Sequence, residues 1–111
     1  MYQPKEEIYQ ALRNLPARVA QSAQSVFSEL PTVTFSLSNN RTNLDLDNNI
    51  SSQEIDVTVD VWTETSSEGS SLLSEAENIM RGLGYRLTST VDVPNPDGAL
   101  QHLSCHFETV R

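Results

Sequence analysis

SQEIDVTVDVWTETSSEGSSLLSEAENIMRGLGY, residues 52–85, is the stretch that decides the fold. Apolar and polar residues alternate without a break from Glu54 to Thr63, which is the period-two pattern of a half-buried strand. One face of this strand carries Ile55, Val57, Val59 and Val61. A helical period follows, and its apolar stripe is Leu72, Leu73, Ala76, Ile79, Met80 and Leu83. A strand with one apolar face that leads into a helix with one apolar face predicts a helix packed on a sheet.

The segments on either side complete this sheet. Residues 4–15 predict a first helix, and residues 17–29 carry a second helical pattern after Pro16, which breaks or kinks the first. Further strands are predicted at residues 32–38, 86–93 and 99–110, with a tight turn at 94–98. We therefore expect an α+β fold in the order α(α)ββαββ: a four-stranded, mostly antiparallel sheet of two hairpins. The N-terminal helix or helices and the main helix are expected to pack on one face of it.

The main helix has a start signal and a stop signal. Thr65 followed by Glu68 fits a capping box, in which the threonine hydroxyl accepts a hydrogen bond from a backbone N–H of the first turn. Gly84 suits the left-handed position that ends many helices, and Arg81 lies near the negative helix end.

Residues 39–53 (NNRTNLDLDNNISSQ) are rich in Asn, Asp and Ser, and we expect a long, mobile loop here, with the hairpin of the flanking strands extending partway into it. A connection this long inside a small domain is usually functional or disordered. Its large apolar residues, which we expect to contact a partner protein, are Leu44, Leu46 and Ile50. Trp62 on the polar face of the central strand is a fourth interface candidate, because tryptophan is enriched at binding hot spots. The alternative is that Trp62 packs within the fold.

Composition narrows the class of protein. The 111 residues predict one domain, 1–111, and fifteen acidic against seven basic residues give a formal net charge of -8. The basic residues are scattered, which argues against specific binding to nucleic acid. The lone Cys105 cannot form an internal disulfide, which favours a reducing compartment. With neither a signal peptide nor an apolar run long enough for a membrane, we expect a soluble, intracellular protein with no membrane partner.

The titratable residues do not group into a catalytic site. His102 and His106 lie on one face of a predicted strand, but four residues of strand separate them by roughly 13 Å, too far to share one zinc ion. The same distance separates Asp56 from Asp60, which is too far for a coupled acid–base pair.

One motif resembles a metal loop only in part. Asp45, Asp47 and Asn49 have the spacing of the first half of a calcium-binding loop, but Ile50 stands where that loop needs glycine. No GxSxG, P-loop or GxGxxG motif is present. We therefore predict no catalytic, cofactor-binding or metal site, and a protein that is not an enzyme.

The order of these segments resembles a known family. A helix, a strand and a polar hairpin lead into DVTVDVWT (56–63), the helix SLLSEAENIMRGLGY (71–85) and the final strand HLSCHFETV (102–110). This pattern, over nearly the whole chain, is similar to the tail-completion or tail-terminator proteins of long-tailed phages and related prophages. The resemblance implies a structural protein that assembles in the host cytoplasm and ends in the virion tail.

Further expectations follow from the resemblance. Such proteins form a homo-oligomeric ring, usually a hexamer, that caps the tail tube, stops its polymerisation and joins a head connector or stopper protein. An acidic lumen would let DNA pass without adhering. Two alternatives stay open: another neck protein, such as a head-closure stopper, and a small intracellular protein-binding adaptor that stays monomeric or dimeric. A small hydrolase built around His102 or His106 is a third.

Overall fold

The described residues of this computed structural model, 4–15, 18–21, 31–44, 46–47, 50–93 and 101–110, form two helices and one five-stranded sheet. The helices are α1 (Pro4–Leu12) and α2 (Ser66–Gly82). The strands are β1 (Arg18–Gln21), β2 (Thr32–Leu44), β3 (Ile50–Thr63), β4 (Arg86–Val93) and β5 (Gln101–Val110). In the sheet they lie in the order β1-β2-β3-β5-β4, and every neighbouring pair is antiparallel except β1 with β2.

The predicted fold class is confirmed, with one difference near the N-terminus. Four antiparallel strands form two hairpins, and α2 crosses between them as expected. Residues 18–21, which the sequence assigned to a second helix, are instead strand β1, paired in parallel with Thr32–Phe35. Pairing with a neighbouring strand has overridden a weak local helical pattern here. The remaining residues of that predicted helix, and the predicted turn at 94–98, lie outside the described part of the chain.

The apolar face of β3 carries the core. Ile55, Val57, Val59 and Val61 are all 0% exposed, and α2 covers them together with residues of β5. Helix α1 reaches the same face through Tyr9, whose ring centroid lies 6.5 Å from that of Phe35 on β2. The buried core residues contributed by the helices are Ile8, Leu12, Leu72, Ala76 and Met80. Each fully buried aliphatic side chain contributes about 2 kcal/mol to folding, so this face makes a large contribution to the stability of the fold.

The start and stop signals of α2 act as predicted. Thr65 is the N-cap, and its hydroxyl accepts a hydrogen bond of 3.2 Å from the Glu68 backbone N–H. At the other end Gly84 has φ of 93°, and the backbone N–H of Tyr85 donates to the Met80 carbonyl at 3.0 Å. This reversal stops the helix and turns the chain directly into β4.

The expected loop of residues 39–53 is largely a hairpin. Asn39 to Leu44 continue β2, and Ile50 to Gln53 begin β3, so the two strands stay paired almost to the connection. The backbone groups of two strands can pair whether or not the side chains are apolar. The polar composition of residues 39–53 therefore did not reveal how far the strand pairing extends. Register shifts between Leu37 and Asn39, and between Asn43 and Leu44, interrupt the ladder. Whether the segment is mobile stays a prediction.

Two glycines of α2 differ in what surrounds them. A Cβ added at Gly69 would lie 3.0 Å from the Thr63 hydroxyl oxygen and 3.4 Å from Leu103. That hydroxyl cannot move away easily, because it donates to the Thr65 carbonyl at 2.7 Å in a fully buried residue. A Cβ added at Gly82 would meet no other part of the fold within 4 Å.

We therefore predict that the same substitution has opposite effects at these two positions. Gly82→Ala should raise the free energy of unfolding by up to about 1 kcal/mol, because alanine loses less backbone entropy in a helix. Gly69→Ala should lower it by about 1 kcal/mol, because overpacking against Thr63 outweighs that gain. Urea denaturation of both variants tests this, and equal stabilisation by both would contradict the close approach of α2 to β3.

Candidate functional site

A two-stranded ribbon extends the sheet beyond its other strands. We call it the arm: residues 39–44 of β2, residues 50–53 of β3 and the connection between them. The last β5 pair is Glu54 with Val110, so β3 beyond Glu54 is paired with β2 alone. The molecule is accordingly elongated, with extents of 53 × 26 × 23 Å.

Polar side chains join the two strands of the arm. At its base Arg41 forms an ion pair with Glu54. The Gln53 side chain donates to Asn40 at 2.7 Å, and the Asn43 amide donates to the Ser52 hydroxyl at 2.9 Å. Cross-strand pairs of this kind stabilise a ribbon that has little apolar cover.

The end of the arm presents apolar surface. Leu44 is 58% exposed and Leu46 is 104% exposed, the most exposed large apolar residue of the described chain. Ile50 pairs with Leu44 across the strands, although its side chain lies outside what the structure describes. Three of the four predicted interface residues therefore belong to one end of the molecule. Exposed leucines of this kind are typical of protein-binding sites, and their role as contacts stays a prediction.

Trp62 lies at the opposite end of β3. Twelve residues of strand, about 40 Å, separate it from Ile50, so it cannot belong to the same contact. It does lie on the polar face of the sheet, as predicted, where it pairs with Thr32 and His102. Its ring stacks on the His102 ring with centroids 3.6 Å apart and planes inclined by 15°. The contacts of Trp62 thus include packing within the fold.

Each histidine contacts a different residue of β3. His102 Nε2 lies 2.8 Å from Asp60 Oδ1, and both side chains are mostly buried. His106 Nδ1 lies 3.3 Å from the Thr58 hydroxyl. Within the described ranges, no group of three or more His, Cys, Asp or Glu side chains is placed to hold a metal ion. Of the partial calcium motif, Asp45 and Asn49 lie outside those ranges.

An open polar groove of about 400 Å³ runs beside His106 on the same face. It lies between the arm base and β4, and its lining includes Ser38, Asp56, Ser89 and Glu108. Glu108 forms an ion pair with Arg86, which neutralises part of this surface. The groove offers hydrogen-bonding groups rather than an apolar pocket of the kind that encloses a small ligand.

A family model described as tail completion protein gp17 matches residues 6–111, which include every strand and nearly all of α1. The chain belongs to this family. A tail completion protein is a structural component of a phage tail, so the resemblance noted from the sequence is confirmed at that level. No curated protein matches the chain.

Because the chain belongs to this family, the arm and the polar face are surfaces of a phage tail protein. The α+β sheet with α2 on one face is then a scaffold that carries both surfaces. Neither α1 nor α2, the helices of the described ranges, qualifies as a membrane-spanning segment.

Sequence reasoning missed the length of the arm, although one signal was present. Arg41 and Glu54 lie on opposite sides of the centre of the polar segment, and opposite charges on the two strands of a hairpin favour cross-strand pairing. The Trp62–His102 stack had no comparable signal, because the register between β3 and β5 is not readable from either strand alone.

The buried Cys105 thiol of this tail completion protein is poorly reactive. It is 2% exposed and pairs with Val59 across β3 and β5. Burial raises the pKa of its thiol to about 12, and the nearby carboxylates of Asp60 and Glu77 contribute to the rise. Because the thiolate is the reactive form, the folded protein has almost none of it at neutral pH.

We predict that Cys105 reacts with a thiol reagent only when the chain unfolds. At pH 7 the folded protein should be labelled at least about 100-fold more slowly than the protein in concentrated urea. The raised pKa also means that stability falls as pH rises from 9.0 towards 12, because only the unfolded thiol ionises in that window. Labelling followed by mass spectrometry tests the first point, and fast labelling of the native state would contradict it.

Proposed function

We propose that this protein assembles as a ring, a hexamer, on the end of the finished phage tail tube. There it stops polymerisation of the tube and provides the surface that the head connector or stopper protein joins. Family membership over residues 6–111 supports the tail role. The observation that carries the finer proposal is the arm, whose polar strands present Leu44 and Leu46 beyond the rest of the sheet.

The arm suits docking onto a large partner. Its tip lies at the end of an elongated molecule, so it can reach a neighbouring subunit or the tube without moving the core. Burial of two leucine side chains at a contact is worth about 3–5 kcal/mol, enough to make an otherwise polar arm bind. The tail tube protein is the partner that would cover them.

The charge of the chain suits a passage for DNA. A ring of subunits that each carry -8 repels the phosphate backbone, so a genome can pass through it without adhering. On the polar face the partly exposed carboxylate of Asp56 contributes to this acidic surface. The proposed role needs no turnover of a substrate, since capping and joining are binding events.

We predict that the apolar tip is required for capping. The variant Leu44→Ser/Leu46→Ser should need roughly 100-fold more protein to limit tube length, because about 3 kcal/mol of apolar burial is lost. The control is Val110→Ser, which removes an exposed apolar side chain (67% exposed) at the end of β5. Tail tube protein is polymerised with each variant, and tube lengths are measured by negative-stain electron microscopy.

The same experiment separates the alternatives. Wild-type rings on tube ends, with tubes of limited length, would support the proposal. Binding to the head connector in the absence of tubes would favour a head-closure protein. A chain that stays monomeric or dimeric and ignores both would favour an adaptor. Equal capping by the leucine variant and the wild type would show that the tip is not the contact.

A further inference from the structure

Besides the outer edge of the four-residue β1 and the start of β3, two longer strand edges of the sheet lack a partner among the described strands. One is the outer edge of β4, an eight-residue strand at the end of the sheet. The other is the outer edge of β2 beyond Phe35, because β1 pairs only with Thr32–Phe35. Such edges present rows of backbone N–H and C=O groups and are ready to pair with another strand.

Residues along both edges are exposed, and no other described strand covers these edges. Thr88, Ser89, Thr90 and Val91 are consecutive exposed residues of β4 on both faces of the sheet. Residues 38–41 of β2 are exposed in the same way. Monomeric proteins protect long edges with proline, charge or a bulge, and β4 has a bulge between Leu87 and Ser89 but neither proline nor charge from there to Val91.

The distribution of charge indicates what meets these edges. Copies of a chain with net charge -8 repel each other, so they associate most easily through neutral surfaces. Strand β4 has one cation, Arg86, and one anion, Asp92. The β2 edge has Arg41, which its ion pair with Glu54 neutralises. In contrast, the outer surface of α2 has an excess of carboxylates over its single basic residue, Arg81.

Strand directions make the two edges complementary. Because β2, β3, β5 and β4 are successively antiparallel, β2 and β4 of one copy run in opposite directions. A second copy placed beside the first with the same face up therefore offers its β2 antiparallel to the first copy's β4. Since β1 already covers Thr32–Phe35, the contact falls on the β2 residues that lead into the arm and on the β2 strand of the arm itself.

We infer that β4 of one copy pairs with the outer edge of β2, residues 36–42, of the next copy. The inference rests on the proposed function, since it says how the subunits of the ring join. The contact uses two different surfaces, so every copy keeps one edge of each kind available, and repetition gives a ring when the rotation between copies closes, rather than a two-fold dimer. The sheet then continues from subunit to subunit, and the arm of each copy lies beside its neighbour.

Disulfide cross-linking tests the pairing directly. Ser89 pairs with His106 and Asn39 pairs with Asp56, which places both on the polar face, near the middle of β4 and of the β2 edge. Within one copy β3 and β5 lie between them, roughly 14 Å of sheet, so a disulfide can form only between copies. The buried Cys105 stays in place, because its thiol is inaccessible.

The expected result is a ladder of disulfide-linked oligomers on a non-reducing gel. The Asn39→Cys/Ser89→Cys variant, assembled on tail tubes and oxidised, should give linked dimers up to hexamers, whereas each single variant should give no ladder. The control is Asn40→Cys/Ser89→Cys, because Asn40 pairs with Ile55 on the opposite face.

A charge on the β4 edge is a second test. Val91→Glu should raise the protein concentration needed for rings about tenfold or more without lowering the monomer's melting temperature. Asn78→Glu, on the exposed surface of α2, should leave that concentration unchanged.

Several outcomes would overturn the pairing. Rings that form with no ladder and with no effect of Val91→Glu would mean that another surface, or the tube protein, meets β4. Linked dimers from Ser89→Cys alone would mean a two-fold β4–β4 contact. Both results leave the capping function intact, whereas a failure of the wild type to form rings on tubes would overturn the proposed function and this pairing with it.

Discussion

The fold depends on β3, which is paired on both sides and buried on one face. Its valine-rich face lies under α2, while Asp56, Thr58 and Asp60 point to the polar face. A slip of one residue in either ladder would turn those carboxylates into the core, so the register is fixed by desolvation as well as by hydrogen bonds. Every other element is placed by its contact with this strand or with a neighbour of it.

The two parts of β3 have different roles. Residues 54–62 are paired with both β2 and β5 and carry the core, whereas residues 50–53 are not paired with β5. The first part is a rigid scaffold, and the second is an arm held by polar cross-strand contacts. The proposed capping role would use both, because the proposed ring must keep its shape while part of each subunit reaches a partner.

Much of the fold was predictable, because its signals are local. The alternation in β3, the Thr65 cap and the Gly84 stop each depend on a few consecutive residues, and all three are confirmed. Strand β1 was not predictable, since four residues with a helical pattern became a strand only through Phe35 and its neighbours. At the candidate site the exposed Leu44 and Leu46 could be named from the sequence, whereas the pairing of the arm and the stack of Trp62 on His102 depend on register between distant segments.

Hydrogen exchange of the free protein and of the protein assembled on tail tubes tests the central claim most directly. That claim is that a rigid core centred on β3 presents an arm and a strand edge that become protected only in the tail. We expect the amides of residues 55–61 to exchange slowly in both states. Residues 39–44, 50–53 and 86–93 should exchange faster in the free protein and slow down on assembly. Protection that appears instead on α1 and α2, with the arm and β4 unchanged, would contradict the account.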